Sequence, residues 1–271
     1  LTGAARAGLP FTLTDGQEAA IAEIGRDMAD PHRMLRLLQG DVGSGKTVVA
    51  LMAMLTAVES GAQAALMAPT EVLARQHHAT IAPLALAAGV ETVLLTGRDK
   101  GRERARVLER LADGRVPLAV GTHALFQEEV AFHDLGLAVI DEQHRFGVHQ
   151  RLGLDSKGRA TDLLVMTATP IPRTLALASY GDMDISSLRE KPAGRQPVDT
   201  RTLPADRLAD VVAAVGRAVN QGAQVFWVCP LVEESEESDL AAADARYAFL
   251  RERFGDHVGL VHGRMKGPEK E

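Results

Sequence analysis

The densest chemistry in the sequence lies in Gly40-Asp41-Val42-Gly43-Ser44-Gly45-Lys46-Thr47, which fits G-x-x-x-x-G-K-[ST]. It follows an apolar run and opens a helical one, the context in which this pattern binds phosphate. Gly40, Gly43 and Gly45 let the backbone wrap around phosphate oxygens with its N–H groups inward, and Ser44 lies within the wrapped stretch. The following helix N-terminus adds partial positive charge. Lys46 is expected to reach the β- and γ-phosphates, and Thr47 to place its hydroxyl on Mg²⁺. A second cluster, Asp141-Glu142-Gln143-His144, ends the apolar run Leu137–Ile140. Two adjacent carboxylates at the end of a buried strand cost free energy unless a cation or water uses them. Alone, such a pair reads as a helix cap. Beside a phosphate loop, Asp141 reads as a Mg²⁺ ligand, and Glu142 as the group that orients or deprotonates the attacking water. Nucleotide hydrolysis is the chemistry these residues specify.

Such a site needs strands that end on one edge of a sheet. Short apolar runs at Met34–Leu38, Ala64–Ala68, Thr92–Leu95, Pro117–Val120, Leu137–Ile140 and Leu163–Met166 alternate with helical stretches at Thr47–Ser60, Glu71–Ala88, Gly101–Asp113 and Pro172–Tyr180. Strands apolar on both faces and separated by helices predict βα units, hence an α/β fold with a mostly parallel sheet covered on both sides. Ligands bind such sheets at the carboxyl ends of the strands. The stretch Arg189–Pro197, with two prolines and a glycine, reads as a linker. Beyond it the pattern restarts with strands at Val198–Leu203, Gln224–Cys229 and His257–Val261 and a helix over Asp206–Asn220.

Composition narrows the class. The chain has 271 residues, of which 46% are hydrophobic and 24% charged, which excludes disordered and fibrous proteins. The longest nearly apolar run, Val48–Val58, is about half the ~20 residues of a membrane-spanning helix. No secretory signal pattern opens the chain, so it is expected to stay where it is made. A single cysteine, Cys229, excludes an intramolecular disulfide and a multi-cysteine metal cluster, and its apolar run makes it a core residue. The formal charge of −6 offers no global basic field, so any DNA binding must come from a local cleft. Leu1 rather than Met at the start suggests an excised or processed piece.

Several stretches occur in the order and spacing of a superfamily 2 helicase motor: GDVGSGKT, APTEVLARQH (Ala68–His77), VGTHAL (Val120–Leu125), DEQHRFGVHQR (Asp141–Arg151) and MTATPIPRTLA (Met166–Ala176). With LPFTLTDGQ (Leu9–Gln17) and VFWVCPLVEESE (Val225–Glu236), the chain most resembles the RecG family of bacterial branched-DNA translocases. The resemblance implies a P-loop NTPase, with a first RecA-like motor domain over residues 1–189, a linker at 190–197 and an incomplete second RecA-like domain over 198–271. It implies ATP and Mg²⁺ as cofactors and branched double-stranded DNA as the partner of the parent protein. It also implies a bacterial cytoplasmic, nucleoid-associated setting with no membrane. Phe11 and Gln17 would sit at the adenine, the amide matching its donor–acceptor edge. Thr70, Arg75, Thr96, Gly97, Thr122 and His123 would grip the DNA backbone without reading bases. His144, Thr167 and Thr169 would couple the γ-phosphate to movement between the domains. In the family an arginine finger lies downstream of His262–Glu271 and a wedge domain lies upstream. The 271-residue piece is therefore expected to bind nucleotide, hydrolyse it slowly and unwind nothing.

Other readings stay open at this stage. The arginine-rich run Arg98–Arg115 also carries Asp99, Glu103, Glu109 and Asp113 and reads as a solvated amphipathic helix. Each threonine is equally a helix cap. The phosphate loop and acidic pair alone also fit a P-loop ATPase acting on protein partners. The transcription-repair coupling motor shares several motifs, although its phosphate loop and DEEH-type motif differ from GSGKT and DEQH. A nucleotide-binding interaction module is a third possibility.

Overall fold

The computed structural model describes residues 1–141, 161–169, 183–190, 198–229, 236–262 and 265. Two compact units divide the chain, Leu1–Gln196 and Pro197–Glu271.

In the first unit, strands β1 (Leu35–Gly40), β2 (Gln63–Met67), β3 (Thr92–Leu95), β4 (Leu118–Gly121), β5 (Leu135–Asp141), β6 (Asp162–Thr167) and β7 (Asp184–Leu188) form one sheet in the order β3-β4-β2-β5-β6-β1-β7. Every pairing is parallel. Among the described residues the helices are α1 (Thr2–Ala7), α2 (Asp15–Met28), α3 (Lys46–Glu59), α4 (Glu71–Ala87) and α5 (Gly101–Ala112). Strand residues alternate between two apolar layers. Leu38, Leu66, Val120, Leu137 and Val139 pack against α3 and its neighbours, while Leu37, Ala65, Ala119 and Ala138 share the other layer with Leu111 of α5. Both faces are thus covered, as a parallel sheet requires. α3 buries every residue from Val48 to Leu55 because α1, α2 and α4 surround it.

Local signals start and stop these elements. Thr14 caps α2 by accepting from the Gln17 N–H, and Gln17 Oε1 accepts from the Thr14 N–H in return, a capping box. Gln63 at the start of β2 is buried and ties three segments together. Its Nε2 donates to Leu111 O (3.0 Å) and Val116 O (2.8 Å), and its Oε1 accepts from His133 N (2.7 Å) and Asp134 N (3.1 Å). Arg36 in β1 is also buried. It pairs with Asp27 (2.7 Å) and donates to Ser186 of β7 (2.9 Å), which secures the edge strand to α2. At the start of β6, Asp162 accepts from the Met34 N–H (2.8 Å). Burial nevertheless pushes its carboxyl above the ordinary value, with the Met34 N–H opposing.

α1, α2 and β7 are additions to the sequence reading. β7 shows only Ile185 and Leu188 as apolar residues around two serines, too faint a period to read without its neighbour β1. The expected helix at Pro172–Tyr180 lies outside the described residues.

In the second unit a short 3₁₀ turn at Ala205–Arg207 leads into α6 (Leu208–Asn220), and α7 (Glu236–Phe254) follows. Among its described residues Val212 and Leu250 are buried and apolar, and Arg246 lies 5.3 Å over the Trp227 ring. The strands expected at Val198–Leu203, Gln224–Cys229 and His257–Val261 are not strands. Apolar β-formers become a strand only with a ladder partner, and among the described residues these segments have none. Cys229, expected in a core, is exposed for the same reason, as are Phe226 and Val228. No helix among the described residues is long and apolar enough to cross a membrane.

Candidate active site

β1 ends at Gly40, and the chain turns through Asp41–Gly45 before α3 begins at Lys46. Gly43 (φ +77°) and Gly45 (φ +89°) occupy the left-handed region, which makes that turn possible at little cost. Gly45 is also the N-cap of α3, so no side chain occupies the helix's first N–H groups. Such groups together with the helix dipole form an anion site. Ser44 N donates to Asp41 O (3.0 Å), closing the loop. The Lys46 ammonium folds back over it, donating to Gly40 O (2.6 Å) and Asp41 O (3.1 Å). Ser44 Oγ is buried without a hydrogen-bond partner, close beside Gly40. A cation reaching over the loop and an unsatisfied buried hydroxyl within it are what a phosphate would complete.

Gln17 is buried and spans both sides of this loop. Besides capping α2, its Nε2 donates to Ser44 O (2.8 Å) and rests against Gly45. Its amide therefore has one remaining donor hydrogen and one remaining acceptor lone pair for a base edge. Phe11 is 52% exposed on the wall of a cleft of about 480 Å³ shared with Arg6 and Glu18, which gives a base an apolar plane to lie on.

The sheet order decides whether the acid meets the loop. β5 pairs with β6 and β6 with β1, so Asp141 lies beside Met166, and Thr167 lies beside Gln39 at the mouth of the loop. With strands about 4.8 Å apart, Asp141 and Gly40 end two strands, or roughly 10 Å, from one another on the same edge. Alternation puts Asp141 with Leu137 and Val139 on the α3 face. Its carboxylate is largely buried and 2.6 Å from His77 Nε2. A threonine hydroxyl at Thr47 and a carboxylate at Asp141 are hard oxygen donors that suit a magnesium ion held together with nucleotide phosphates. Thr167 is buried, and its hydroxyl bonds that of Thr169 (2.9 Å), which folds the Thr167–Thr169 turn on itself. Glu142 and His144 lie outside the described residues, as do Arg145 and Arg173.

Thr70, Thr96 and Thr122 follow β2, β3 and β4, which are adjacent, so the three fall along one stretch of the carboxyl edge. Their hydroxyls serve local roles. Thr70 accepts from Leu73 N (3.3 Å) as the cap of α4, and Thr122 accepts from Ala124 N (3.4 Å). Thr96 is fully buried and donates to Asp99 (3.0 Å). The exposed groups around them are Arg75, open Gly97 and His123. Arg75 is held by Glu71 (2.8 Å), whose other oxygen holds Arg98 (3.0 Å).

Two residues escape the sequence reading. Glu71 organises the exposed arginines, and its spacing of four from Arg75 is a signal that was available. His77 closes the stretch APTEVLARQH, yet its partner Asp141 is 64 residues away, which no local pattern reveals.

Residues 14–178 match the sequence model of the DEAD/DEAH box helicases. The chain is 50% identical, over 98% of its length, to a protein of Pasteurella multocida described as ATP-dependent DNA helicase RecG. It is 49% identical, over 97%, to the protein of the same description from Bacillus subtilis. It spans 39% of the length of each. Its fold is similar to that of RecG solved bound to a three-way DNA junction, with a TM-score of 0.80 and 42% identity, covering 98% of this chain and 35% of that one.

Proposed function

The chain belongs to the DEAD/DEAH box helicase family, and from that membership we propose that it carries the ATP-driven motor of a branched-DNA helicase, working at stalled forks and Holliday junctions in recombination and repair. The observation that carries this reading is the sheet order, which ends the phosphate loop and Asp141 on one edge with a single strand between them. The RecG relatives, and the one solved on a three-way junction, support branched DNA as the partner. Because those relatives are bacterial, the proposed setting is the bacterial cytoplasm at the nucleoid.

In this reading Phe11 and Gln17 hold the adenine of ATP. The N–H groups of Gly43, Gly45 and Lys46 hold its phosphates together with the Ser44 hydroxyl, and Gly40 keeps the loop's base narrow. Lys46 leaves its two carbonyl partners for the β- and γ-phosphates. Thr47 and Asp141 hold Mg²⁺, which when bound neutralises charge developing on the phosphates. Glu142 orients the attacking water and takes its proton. His144, Thr167 and Thr169 carry the nucleotide state toward the gap between motor domains. Thr70, Arg75, Thr96, Gly97, Thr122 and His123 line the DNA path, chiefly through backbone groups and the exposed side chains among them. The proposed domains are 1–189 and 198–271, the second a part of a RecA-like domain, joined by 190–197; the two compact units support that division.

ATP hydrolysis by the natural full-length protein, measured with and without a three-way junction, tests the reading. Junction-stimulated turnover that Lys46→Ala abolishes is expected. Turnover indifferent to DNA would overturn the motor assignment in favour of an ATPase acting on protein partners.

A further inference from the structure

α4 turns Ala74, Ile81 and Ala85 into the core, all three fully buried, and their spacing puts His77 on the same inward side. An imidazole on such a stripe costs free energy unless it is hydrogen-bonded. Here it meets Asp141, with Nε2 2.6 Å from Oδ2 and the two side chains only 12% and 10% exposed. An ionised carboxylate only accepts, so the hydrogen of this contact is on Nε2. The contact joins two rigid elements. α4 is fixed by its Thr70 cap and its buried stripe, and the Asp141 backbone is fixed by its pairing with Met166 in β6. What remains free at Asp141 is rotation of the carboxylate, and the His77 bond removes it.

We propose that His77 is the positioning residue of Asp141: its Nε2–H holds Oδ2, so that Oδ1 is presented to the divalent cation that accompanies the nucleotide. Ligating carboxylates depend on such outer partners, whose loss costs about 10–100-fold in metal affinity. The inference rests on the nucleotide reading above but concerns a residue which that reading does not use. It predicts a defect confined to the metal: phosphates held by the loop and Lys46 do not touch His77.

The test is Mn²⁺ binding to the chain with β,γ-imido-ATP, followed by electron paramagnetic resonance, beside binding of the same nucleotide in EDTA. His77→Phe keeps a planar ring without a donor, and His77→Gln restores an N–H at similar reach. Phe is expected to weaken Mn²⁺ by tenfold or more, on the order of the outer-partner losses above. Gln is expected to recover most of that loss, and nucleotide affinity in EDTA is expected to stay at the wild-type value in both. His77→Leu repeats the comparison with a smaller apolar side chain, so the outcome does not hang on one variant folding. Unchanged Mn²⁺ affinity in Phe and Leu, or equal losses in Phe and Gln, would overturn the inference while leaving the nucleotide site intact. Wild-type chain that binds no nucleotide with or without metal would instead bring down the nucleotide reading, and this inference with it.

Discussion

Gly45→Ala probes the point where the phosphate loop, α3 and Gln17 meet. Gly45 has φ +89°, and a methyl group there would lie 2.2 Å from Gln17 Nε2. The left-handed backbone costs alanine about 1–2 kcal/mol. The collision adds to this, because the amide cannot step aside freely: Nε2 is bonded to Ser44 O at 2.8 Å and Oε1 to Thr14 N at 2.9 Å. Moving it forfeits the buried bond to Ser44, about 0.5–1.5 kcal/mol. The sum, roughly 2–3 kcal/mol, lowers the melting temperature by about 5–10 °C for a unit of this size. Urea denaturation of Gly45→Ala, Gln17→Ala and the double variant separates the two terms. In the Gln17→Ala background the alanine should cost only its backbone share, leaving a coupling of about 1 kcal/mol. Additive losses would refute the claim that Gln17 and Gly45 act as one contact.

Lys46→Ala should weaken ATP binding to the chain by about 10–100-fold in calorimetry, the worth of one charged hydrogen-bonding group at ~1.5–3 kcal/mol. Gln63→Leu should cost about 2–4 kcal/mol by urea denaturation, because Val116 O loses its donor and Asp134 N its acceptor, whereas His133 N and Leu111 O still have one another at 3.2 Å. Asp162→Asn should alter the pH dependence of stability. Burial raises the folded carboxyl above its ordinary value, so between those two values the folded state holds more proton than the unfolded one. Stability from this group therefore falls as pH rises through the folded value. The asparagine variant should gain on wild type at pH 7 and lose that gain toward pH 4, checked by urea midpoints at both.

The loop and the acid are legible in the sequence because each is local. Gly40–Thr47 is a contiguous pattern, and Asp141 directly follows a buried run. Six of the seven strands show themselves as short apolar runs, whereas β7, with Ser186 and Ser187 at its centre, depends on Arg36 and β1 for its place. What the sequence hides is pairing across distance. The adjacency of β5, β6 and β1, the reach of Gln17 to Ser44 and the bond from His77 to Asp141 each join segments far apart in the chain. The threonines carry a double signal. Thr70 and Thr122 stand in motif positions and also cap the segments that follow them, a role that the same local pattern specifies. In the second unit, β-forming composition at Gln224–Cys229 predicts a strand where no ladder partner exists among the described residues.

A crystal structure of the chain soaked with β,γ-imido-ATP and Mg²⁺ meets the central claim head on. The β- and γ-phosphates are expected within about 3 Å of the Lys46 ammonium and of the N–H groups of residues 43 and 45–47. Lys46 is expected to be released from Gly40 O and Asp41 O, with the metal between Thr47 and Asp141. Phosphates bound elsewhere on the sheet, or a metal that leaves Asp141 untouched, would contradict the nucleotide site.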